Sequence, residues 1–488
     1  MKLATTDLLI LVAYLVAMVA FGSLFGRKKQ DLEDYTVGGR DLPWWALLLS
    51  IVATETSTVT FLSIPGFAYR HDLTWLQLPL GYMVGRLLVV FLLLPHYFRG
   101  SMLTAYEMLH HRFGGGVKTA ASAMFLVTRT LADGLRLFLG AIILHKVANI
   151  DLVLAIVFLG MATIAYTFLG GMRAVVWTDC IQFLVYMVGA AIAFGVILDK
   201  VPGGWSGVAE IARSHVDAAG VPHDKLRVFA LDFAWDNAYV LWAGLIGGAL
   251  ITFATHGVDQ MFVQRYLCAR SQKQAGLALA LSGPVVFLQF WLFLLVGIAL
   301  FAFYQLHPPG EPLKKDHEFA SFIVDEMPPG LLGLLLGAVF SAAMSTLSSS
   351  LNSTATALVN DIWVPYRRPQ ATEPQKLRVT RIATILFGCL QMLVGIVGQA
   401  LALIPGVIEG VMAIAGFTTG IILGVFFLAI FTRRVGASAA LWGFVLGLGL
   451  MTWINFGTDL AWPWFALVGS GATFLFGLLA QAVLPNPR

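Results

Sequence analysis

A group of hydroxyl side chains in the middle of a long apolar segment is the clearest chemical feature of the sequence. Within residues 331–364, Ser345, Ser348, Ser349 and Asn352 recur every three or four residues, which places them on one face of a helix. One hydroxyl in a membrane helix can bond back to a carbonyl one turn earlier, but a polar stripe must face something other than lipid. Two interpretations stay open: a cation site, or a close helix–helix contact built from small residues.

A second concentration of polar groups lies at residues 53–60, where five hydroxyls and one carboxylate interrupt an apolar span. We interpret this stretch as a broken membrane helix whose freed carbonyl and N–H groups bind ligands. A continuous threonine-rich helix satisfied by back-bonding is the alternative. Residues 252–260 form a comparable interruption, in which His256 is either a packing residue or a solute contact, and Asp259 either packs helices together, acts at a gate or contacts the ligand.

Charged residues inside apolar spans are costly and are therefore candidates for function. Arg129, Asp133 and Arg136 share one helix face, so the carboxylate lies between two guanidinium groups. This pattern fits an internal ion-pair network, or an arginine that binds a solute carboxylate. Asp179 has no obvious basic neighbour in the sequence, and a sodium ion would suit it because hard cations take oxygen ligands.

The composition predicts a membrane protein. The 488 residues are 58% hydrophobic and only 12% charged, with a mean hydropathy of +0.81, whereas about a quarter of the residues in a soluble domain are charged. The three cysteines suggest neither a disulfide framework nor a metal site. Thirteen apolar runs are long enough to span a bilayer, near residues 7–26, 44–68, 73–97, 119–145, 150–170, 174–199, 237–264, 274–305, 329–364, 379–404, 407–432, 437–457 and 463–484.

The basic residues predict the orientation. Most lysines and arginines fall in alternate loops, and since cytoplasmic loops are enriched in these residues, the N-terminus is expected outside and the C-terminus in the cytoplasm. The two longest loops, residues 200–236 and 306–328, lie on the outside in this scheme. The second is expected to contain a short helix near residues 318–326. The basic residues assigned to the cytoplasmic side include Lys28, Lys29, Arg99, Arg112, Arg173, Arg265, Arg270, Arg367, Arg433 and Arg488.

The chain resembles the sodium:solute symporter family, which includes bacterial proline, sialic acid and galactose transporters and the animal sodium/glucose transporters. The resemblance runs nearly end to end and rests on four stretches, residues 35–40, 170–179, 259–267 and 342–361. It implies an all-α polytopic membrane protein of thirteen helices with a five-plus-five inverted repeat, of the leucine-transporter type. The implied boundaries are an extra helix at 7–26, the two repeats at 44–199 and 237–432, and two C-terminal helices at 437–484.

The resemblance also implies ligand residues. A primary sodium site would use the carbonyls of Ala53, Thr56 and Ala342 and the hydroxyls of Ser345 and Thr346. A possible second sodium site would share Ser345 and add Asp179, Ser348 and Ser349. The solute would contact Glu55, Ser57, Thr60, Gln77, Arg129, Thr252, Thr255 and His256. Glu55 and the Thr255–His256 pair depart from the known subgroups, so a sugar, polyol, amino acid or carboxylate solute each remains open.

We therefore expect a sodium-coupled symporter of a small polar solute, placed in the plasma membrane, the inner membrane of a bacterium. A proton-coupled symporter that uses Glu55 or Asp179 as the carrier is the first alternative. A channel is less favoured, because paired helix breaks suit alternating access. An enzyme is least favoured, since the spans contain no nucleophile–base set, metal-ligand spacing or nucleotide-binding loop. No cofactor besides the coupling ion and no nucleic acid partner is expected.

Overall fold

The computed structural model of the chain describes residues 4–27, 31–148, 150–216, 220–400 and 407–485. These residues fold into helices joined mostly by short turns. Of the basic residues behind the predicted orientation, Lys28, Lys29 and Arg488 lie outside the described residues. The part of the 379–404 span beyond residue 400 also lies outside them.

The helices of the first half run from the N-terminus to the first long loop, residues 200–236, which contains the last of them. They are α1 Thr5–Leu24, α2 Leu32–Val37, α3 Trp44–Glu55, α4 Thr58–Arg70, α5 Gln77–Leu88, α6 Leu94–Tyr97, α7 Glu107–Phe113, α8 Gly115–Ala148, α9 Leu152–Lys200 and α10 Trp205–Arg213. A π-helical turn, Val89–Leu93, joins α5 to α6.

The helices of the second half follow that loop. They are α11 Gly248–Val258, α12 Gln260–Leu267, α13 Gln272–Leu306, α14 Glu318–Glu326, α15 Leu331–Ala357, α16 Val364–Arg367, α17 Glu373–Ala400, α18 Val407–Phe431, α19 Ala437–Gly457 and α20 Phe465–Val483. A π-helical turn precedes α11, at Ala243–Gly247, and another joins α15 to α16, at Leu358–Trp363. The predicted short helix in the 306–328 loop is confirmed as α14.

Fewer helices qualify as membrane spans, judged by their length and composition, than the sequence predicted. In the described part of the chain, nine helices are long and apolar enough to cross a membrane, or ten if the bent pair α3–α4 counts as one span. The all-helical membrane architecture is confirmed, whereas the count of thirteen is not. The predicted domain boundaries remain predictions.

Two features account for most of the difference in count. Helix α9 runs for 49 residues, about 74 Å at 1.5 Å per residue, which is more than twice the roughly 30 Å hydrocarbon core of a bilayer. Its backbone departs from helical geometry at Gly171, where φ is 59°. The two runs predicted at 150–170 and 174–199 are therefore one element with a kink. Helix α8 carries Arg129, Asp133 and Arg136, which lower its hydropathy.

Both predicted helix breaks are present. Helices α3 and α4 meet at a bend of 63° around Thr56 and Ser57. Helices α11 and α12 are separated at Asp259, whose backbone is extended and whose side chain accepts a hydrogen bond from the N–H of Met261. An aspartate at this position caps the new helix and stabilises the break.

Helix α15 lies at the centre of the bundle. Together with its continuation to Arg367, it forms the most buried of the candidate spans, since 89% of its most apolar stretch lies inside the protein. It packs against α9, α1, α8 and α3. The hydroxyl stripe predicted from the sequence therefore faces protein on all sides, and α3 brings the first helix break against it.

Candidate functional site

The break between α3 and α4 exposes backbone carbonyls in the middle of the bundle. Helix α3 ends at Glu55, and the next residue, Thr56, is extended with ψ of 93°. The carbonyls of the last helical turn have no partner further along the same helix, so they need other donors or a cation.

The serine stripe of α15 supplies hydroxyls to these carbonyls. Ser345 Oγ lies 2.8 Å from the carbonyl oxygen of Ala53 and 3.4 Å from that of Ala342. Thr346 Oγ1 lies 3.2 Å from the carbonyl of Thr54 and 3.5 Å from that of Ala342. Ser345 thus links the carbonyls of Ala53 and Ala342, and Thr346 lies against that of Ala342, so these contacts connect four of the five predicted primary ligands.

Thr56, the fifth predicted ligand, lies at the break itself. Its hydroxyl donates to the carbonyl of Val52 across 2.9 Å and accepts from Gln289 Nε2 across 2.7 Å. The side chain is therefore fixed, and only its carbonyl could serve as a ligand. Carbonyl and hydroxyl oxygens without a formal charge suit a hard monovalent cation such as sodium.

Asp179 is not the isolated carboxylate that the sequence suggested. Its Oδ2 accepts from Ser50 Oγ across 2.5 Å and from Arg265 Nη2 across 3.1 Å. The prediction that no arginine or lysine lies near Asp179 is therefore wrong. Arg265 was assigned to a cytoplasmic loop, but it lies in α12, which is buried, and its side chain reaches α9.

The other residues of the predicted second sodium site lie around the same ion pair. Ser349 contacts Arg265 Nη2 and lies 3.1 Å from Thr54 Oγ1. Ser348 and Ser349 both donate to the carbonyl of Ser345, across 3.2 and 2.6 Å. The guanidinium group of Arg265, a fixed cation, thus lies between Asp179 and Ser349, two of the residues predicted to bind a second sodium ion.

A cavity that is partly open to solvent lies next to the two helix breaks. It runs between α3, α4, α8, α11 and α18. Six of the eight predicted solute contacts line it: Glu55, Thr60, Arg129, Thr252, Thr255 and His256.

The other two predicted solute contacts do not line this cavity. Gln77 is buried and anchors the long loop that follows α10, because its amide donates to the carbonyl of Tyr239 across 2.9 Å and accepts from the N–H of Ala230 across 3.1 Å. Ser57 is the residue before α4. These hydrogen bonds give Gln77 a structural role, and the solute contacts predicted for Gln77 and Ser57 remain predictions.

Glu55 forms an ion pair that the sequence did not indicate. Its Oε2 contacts Arg86 Nη2, and Arg86 Nε also donates to Ser282 across 2.9 Å. His256 Nε2 lies 3.7 Å from the same carboxylate oxygen, and the imidazole ring stacks on Phe262 with 4.3 Å between ring centroids. Because Arg86 is 31 residues away in sequence, no local spacing could have revealed the pair.

Arg129 belongs to a charge network rather than standing free. Its Nη2 contacts Asp259 at the second helix break, and its Nη1 lies 3.5 Å from Asp133 Oδ1. Arg136 contacts the same Asp133 oxygen. The predicted internal ion-pair network is confirmed, and Asp259 joins it from the neighbouring element.

The cavity has further lining residues that were not predicted. They include aromatic side chains, threonines and aliphatic residues, several of them from α18. The sequence offered no local signal for them, because isolated residues of these types are common in apolar helices. Those that matter below are Tyr82, Phe125, Thr128, Phe290, Thr418 and Thr419.

Known proteins resemble this chain along most of its length. The sodium:solute symporter family model matches residues 35–447. The sodium/sialic acid symporter NanT of Aliivibrio fischeri is 30% identical over 99% of this chain and 94% of its own length. The human sodium/iodide cotransporter is 31% identical over 89% of this chain and 67% of its own length. These relatives are transporters, not enzymes.

A solved structure shares the fold. It is a sodium-coupled sialic acid symporter in a substrate-bound, outward-open state with a novel sodium site, and it superposes with a TM-score of 0.88. The two chains are 28% identical, and the match covers 99% of each.

Proposed function

Because this chain belongs to the sodium:solute symporter family, we propose that it is a sodium-coupled symporter that imports a small polar solute by alternating access. The single observation that carries the proposal is the contact of Ser345 and Thr346 with carbonyls at the end of α3. Sodium at this point would tie α15 to the broken helix and so link ion binding to the solute cavity beside it. No cofactor beyond the coupling ion is required.

The proposed cycle begins with sodium from the outside. The carbonyls of Ala53 and Ala342, which accept hydrogen bonds from Ser345 and Thr346, would then bind the ion instead. The hydroxyl oxygens of Ser345 and Thr346 would rotate and bind the same ion. The break at Thr56 is then held in one geometry, and Glu55, the residue next to it, presents its carboxylate to the solute. Rocking of the two five-helix repeats would open the loaded site to the cytoplasm.

The energetics favour strong accumulation with one ion. Each sodium ion gains about 2.3 kcal/mol per 100 mV of membrane potential, and a tenfold sodium gradient adds about 1.4 kcal/mol. Together these support roughly 500-fold solute accumulation. We propose one sodium per cycle, since Arg265 already balances the charge of Asp179 at the predicted second site.

The full arrangement we propose has thirteen membrane helices, with α9 forming two spans on either side of Gly171. The N-terminus is outside, the C-terminus is in the cytoplasm, and the protein resides in the inner membrane of a bacterium. Tagging each terminus and measuring accessibility to an impermeant label in intact cells tests this orientation; labelling of the C-terminus from outside would contradict it.

A proton-coupled symporter is less well supported. Its carriers would be Glu55 or Asp179, and each of them contacts an arginine, Arg86 and Arg265 respectively. Protonation of either carboxylate would leave a buried arginine without its counter-charge, which is costly inside the bundle. Proteoliposomes separate the two mechanisms: solute-induced currents should require sodium and be absent in choline buffer. Currents driven by a pH gradient in choline would establish proton coupling instead.

A further inference from the structure

The charges around the cavity cancel. The described side chains in or directly behind its wall include three arginines and three carboxylates: Arg86, Arg129, Arg136, Glu55, Asp133 and Asp259. Each of these guanidinium groups contacts a carboxylate within this set. A bound anion would therefore have to displace a carboxylate from its arginine, which is costly in a buried site.

Four of the seven threonines that line the cavity offer oxygen lone pairs rather than protons. A hydroxyl has one proton to donate, and four of these threonines donate it to the carbonyl four residues earlier in their own helix. The four are Thr128, Thr255, Thr418 and Thr419, with distances of 2.9, 3.0, 2.9 and 2.5 Å. Their oxygens can then only accept hydrogen bonds from a solute.

Glu55 adds a stronger acceptor to the same wall. Its side chain is 17% exposed, more than the 10% of Arg129 or the 5% of Asp259, so it is the acidic group that a solute meets first. A carboxylate has two acceptor oxygens and, when ionised, donates nothing. Arg86 holds one of them, Oε2, and offsets the charge, so the carboxylate attracts O–H donors without demanding a cation.

Aromatic side chains complete the lining. Tyr82, Phe125 and Phe290 face the cavity together with the acceptor groups. Flat apolar surfaces beside hydrogen-bond acceptors are complementary to a molecule that has both C–H faces and many hydroxyl groups.

We infer that the transported solute is an electrically neutral, polyhydroxylated molecule, a sugar or polyol, with adjacent hydroxyl groups that donate to Glu55. This inference rests on the proposed symport function and names its solute class. A carboxylate solute such as sialic acid, or the carboxylate of an amino acid, would meet arginines that are each already paired with a carboxylate.

The test is a thermal-shift panel on the purified full-length protein in sodium and in potassium buffer. The probes are neutral hexoses, hexitols and inositols, then N-acetylneuraminate and lactate, then proline and alanine, then choline. The inference predicts a sodium-dependent rise in Tm with a member of the first group alone. A rise with an anion, a zwitterion or the cation, or no rise with any neutral compound, overturns it.

This outcome is separable from the failure of the proposed function. Sodium alone should raise Tm relative to potassium if the ion site exists, whatever the solute is. If sodium and an anionic solute together stabilise the protein, the proposed symport is supported and the inferred class of neutral solutes is contradicted. No stabilisation by sodium would count against the symport itself.

Substitution of Glu55 tests the named contact. In Glu55→Gln one acceptor becomes a donor and Arg86 loses its partner, so affinity for the neutral solute should fall about ten- to hundredfold, and an anion should begin to bind. Glu210→Gln, at an exposed position of α10, is the matched control. It should change neither the affinity for the neutral solute nor the binding of anions. If Glu55→Gln does not fold, Glu55→Asp keeps the charge and should weaken neutral binding without admitting anions. Unchanged affinity in the folded variant overturns the assignment.

Discussion

Arg265 on α12 donates a hydrogen bond from Nη2 to Oδ2 of Asp179 on α9 across 3.1 Å, and both side chains are almost fully buried. The same guanidinium also donates to Ser50 from Nε, across 2.9 Å, and to Ser349. One cation thus ties α12, which follows the second helix break, to α3, α9 and α15. The pair lies beside the predicted primary sodium site and supplies the positive charge that the sequence led us to expect from a second ion.

A tethered cation at Asp179 predicts simple sodium kinetics. The sodium Hill coefficient of solute-induced current should be close to 1 in the native protein, because Arg265 takes the place of a second ion. Asp179→Asn should leave that coefficient unchanged. A coefficient near 2 that falls to 1 in the variant would restore the second sodium site with Ser345, Ser348 and Ser349.

The same ion pair predicts that single and double substitutions differ in their effect on stability. Removing one member of a buried ion pair leaves the other charge uncompensated and costs about 3–5 kcal/mol. Arg265→Met and Asp179→Leu should each lower Tm strongly, while the double variant should recover much of the loss. Equal, additive losses in a double-mutant cycle would show that the two side chains do not act as a pair.

Gln77 is predicted to act on stability and not on solute recognition. Its amide holds the long loop that follows α10 through Ala230 and Tyr239. Truncation leaves the buried backbone N–H of Ala230 without its partner, at a cost of about 1–3 kcal/mol. Gln77→Ala should lower Tm and leave solute affinity and sodium dependence unchanged. A selective loss of solute affinity at unchanged Tm would return Gln77 to the solute site.

Lys225, in the long loop that follows α10, is expected to make the stability of the protein depend on pH. Burial lowers the pKa of Lys225 to about 8 from 10.5, although the Asp72 carboxylate acts in the opposite direction. Its ammonium group contacts the carbonyl of His71 and lies 4.4 Å from the centre of the Phe301 ring. Between pH 8 and 10.5 the unfolded chain binds more protons at this residue than the folded chain, so its contribution to stability increases with pH.

The measurement is Tm from pH 7 to 10 for the native protein and Lys225→Met. The native protein should gain stability relative to the variant as the pH rises through 8. Lys273→Met, on the opposite side of the membrane in the proposed topology, is the control and should follow the native curve. A native-minus-variant difference that does not increase with pH would contradict the proton linkage.

Local composition was sufficient to locate the helix breaks and the hydroxyl stripe. Hydroxyl groups and glycines within an apolar span indicate an interruption wherever the span folds, so the breaks at Thr56 and Asp259 followed from the sequence. The spacing of Ser345 and Thr346 likewise placed them on adjoining parts of one helix. The resemblance to a family then supplied their partners on α3.

Pairings between distant segments could not be derived in this way. Arg265 lies 86 residues from Asp179, and Arg86 lies 31 residues from Glu55. Whether a long arginine side chain points to a loop or into the bundle depends on how helices cross, which no local pattern specifies. The hydrogen-bond partners of Gln77 could not be found from the sequence for the same reason, since they lie in a loop more than 150 residues away.

The most direct test of the sodium site is a sodium titration of Tm for variants of α15. Ser345→Ala and Thr346→Ala remove the two hydroxyls at the helix break, whereas Ser353→Ala and Thr354→Ala remove hydroxyls of the same helix that bond only within it. We predict that sodium, but not potassium, stabilises the native protein and the two controls. The Ser345 and Thr346 variants should require at least tenfold more sodium for the same rise. Equal sodium stabilisation in all five proteins would contradict the account.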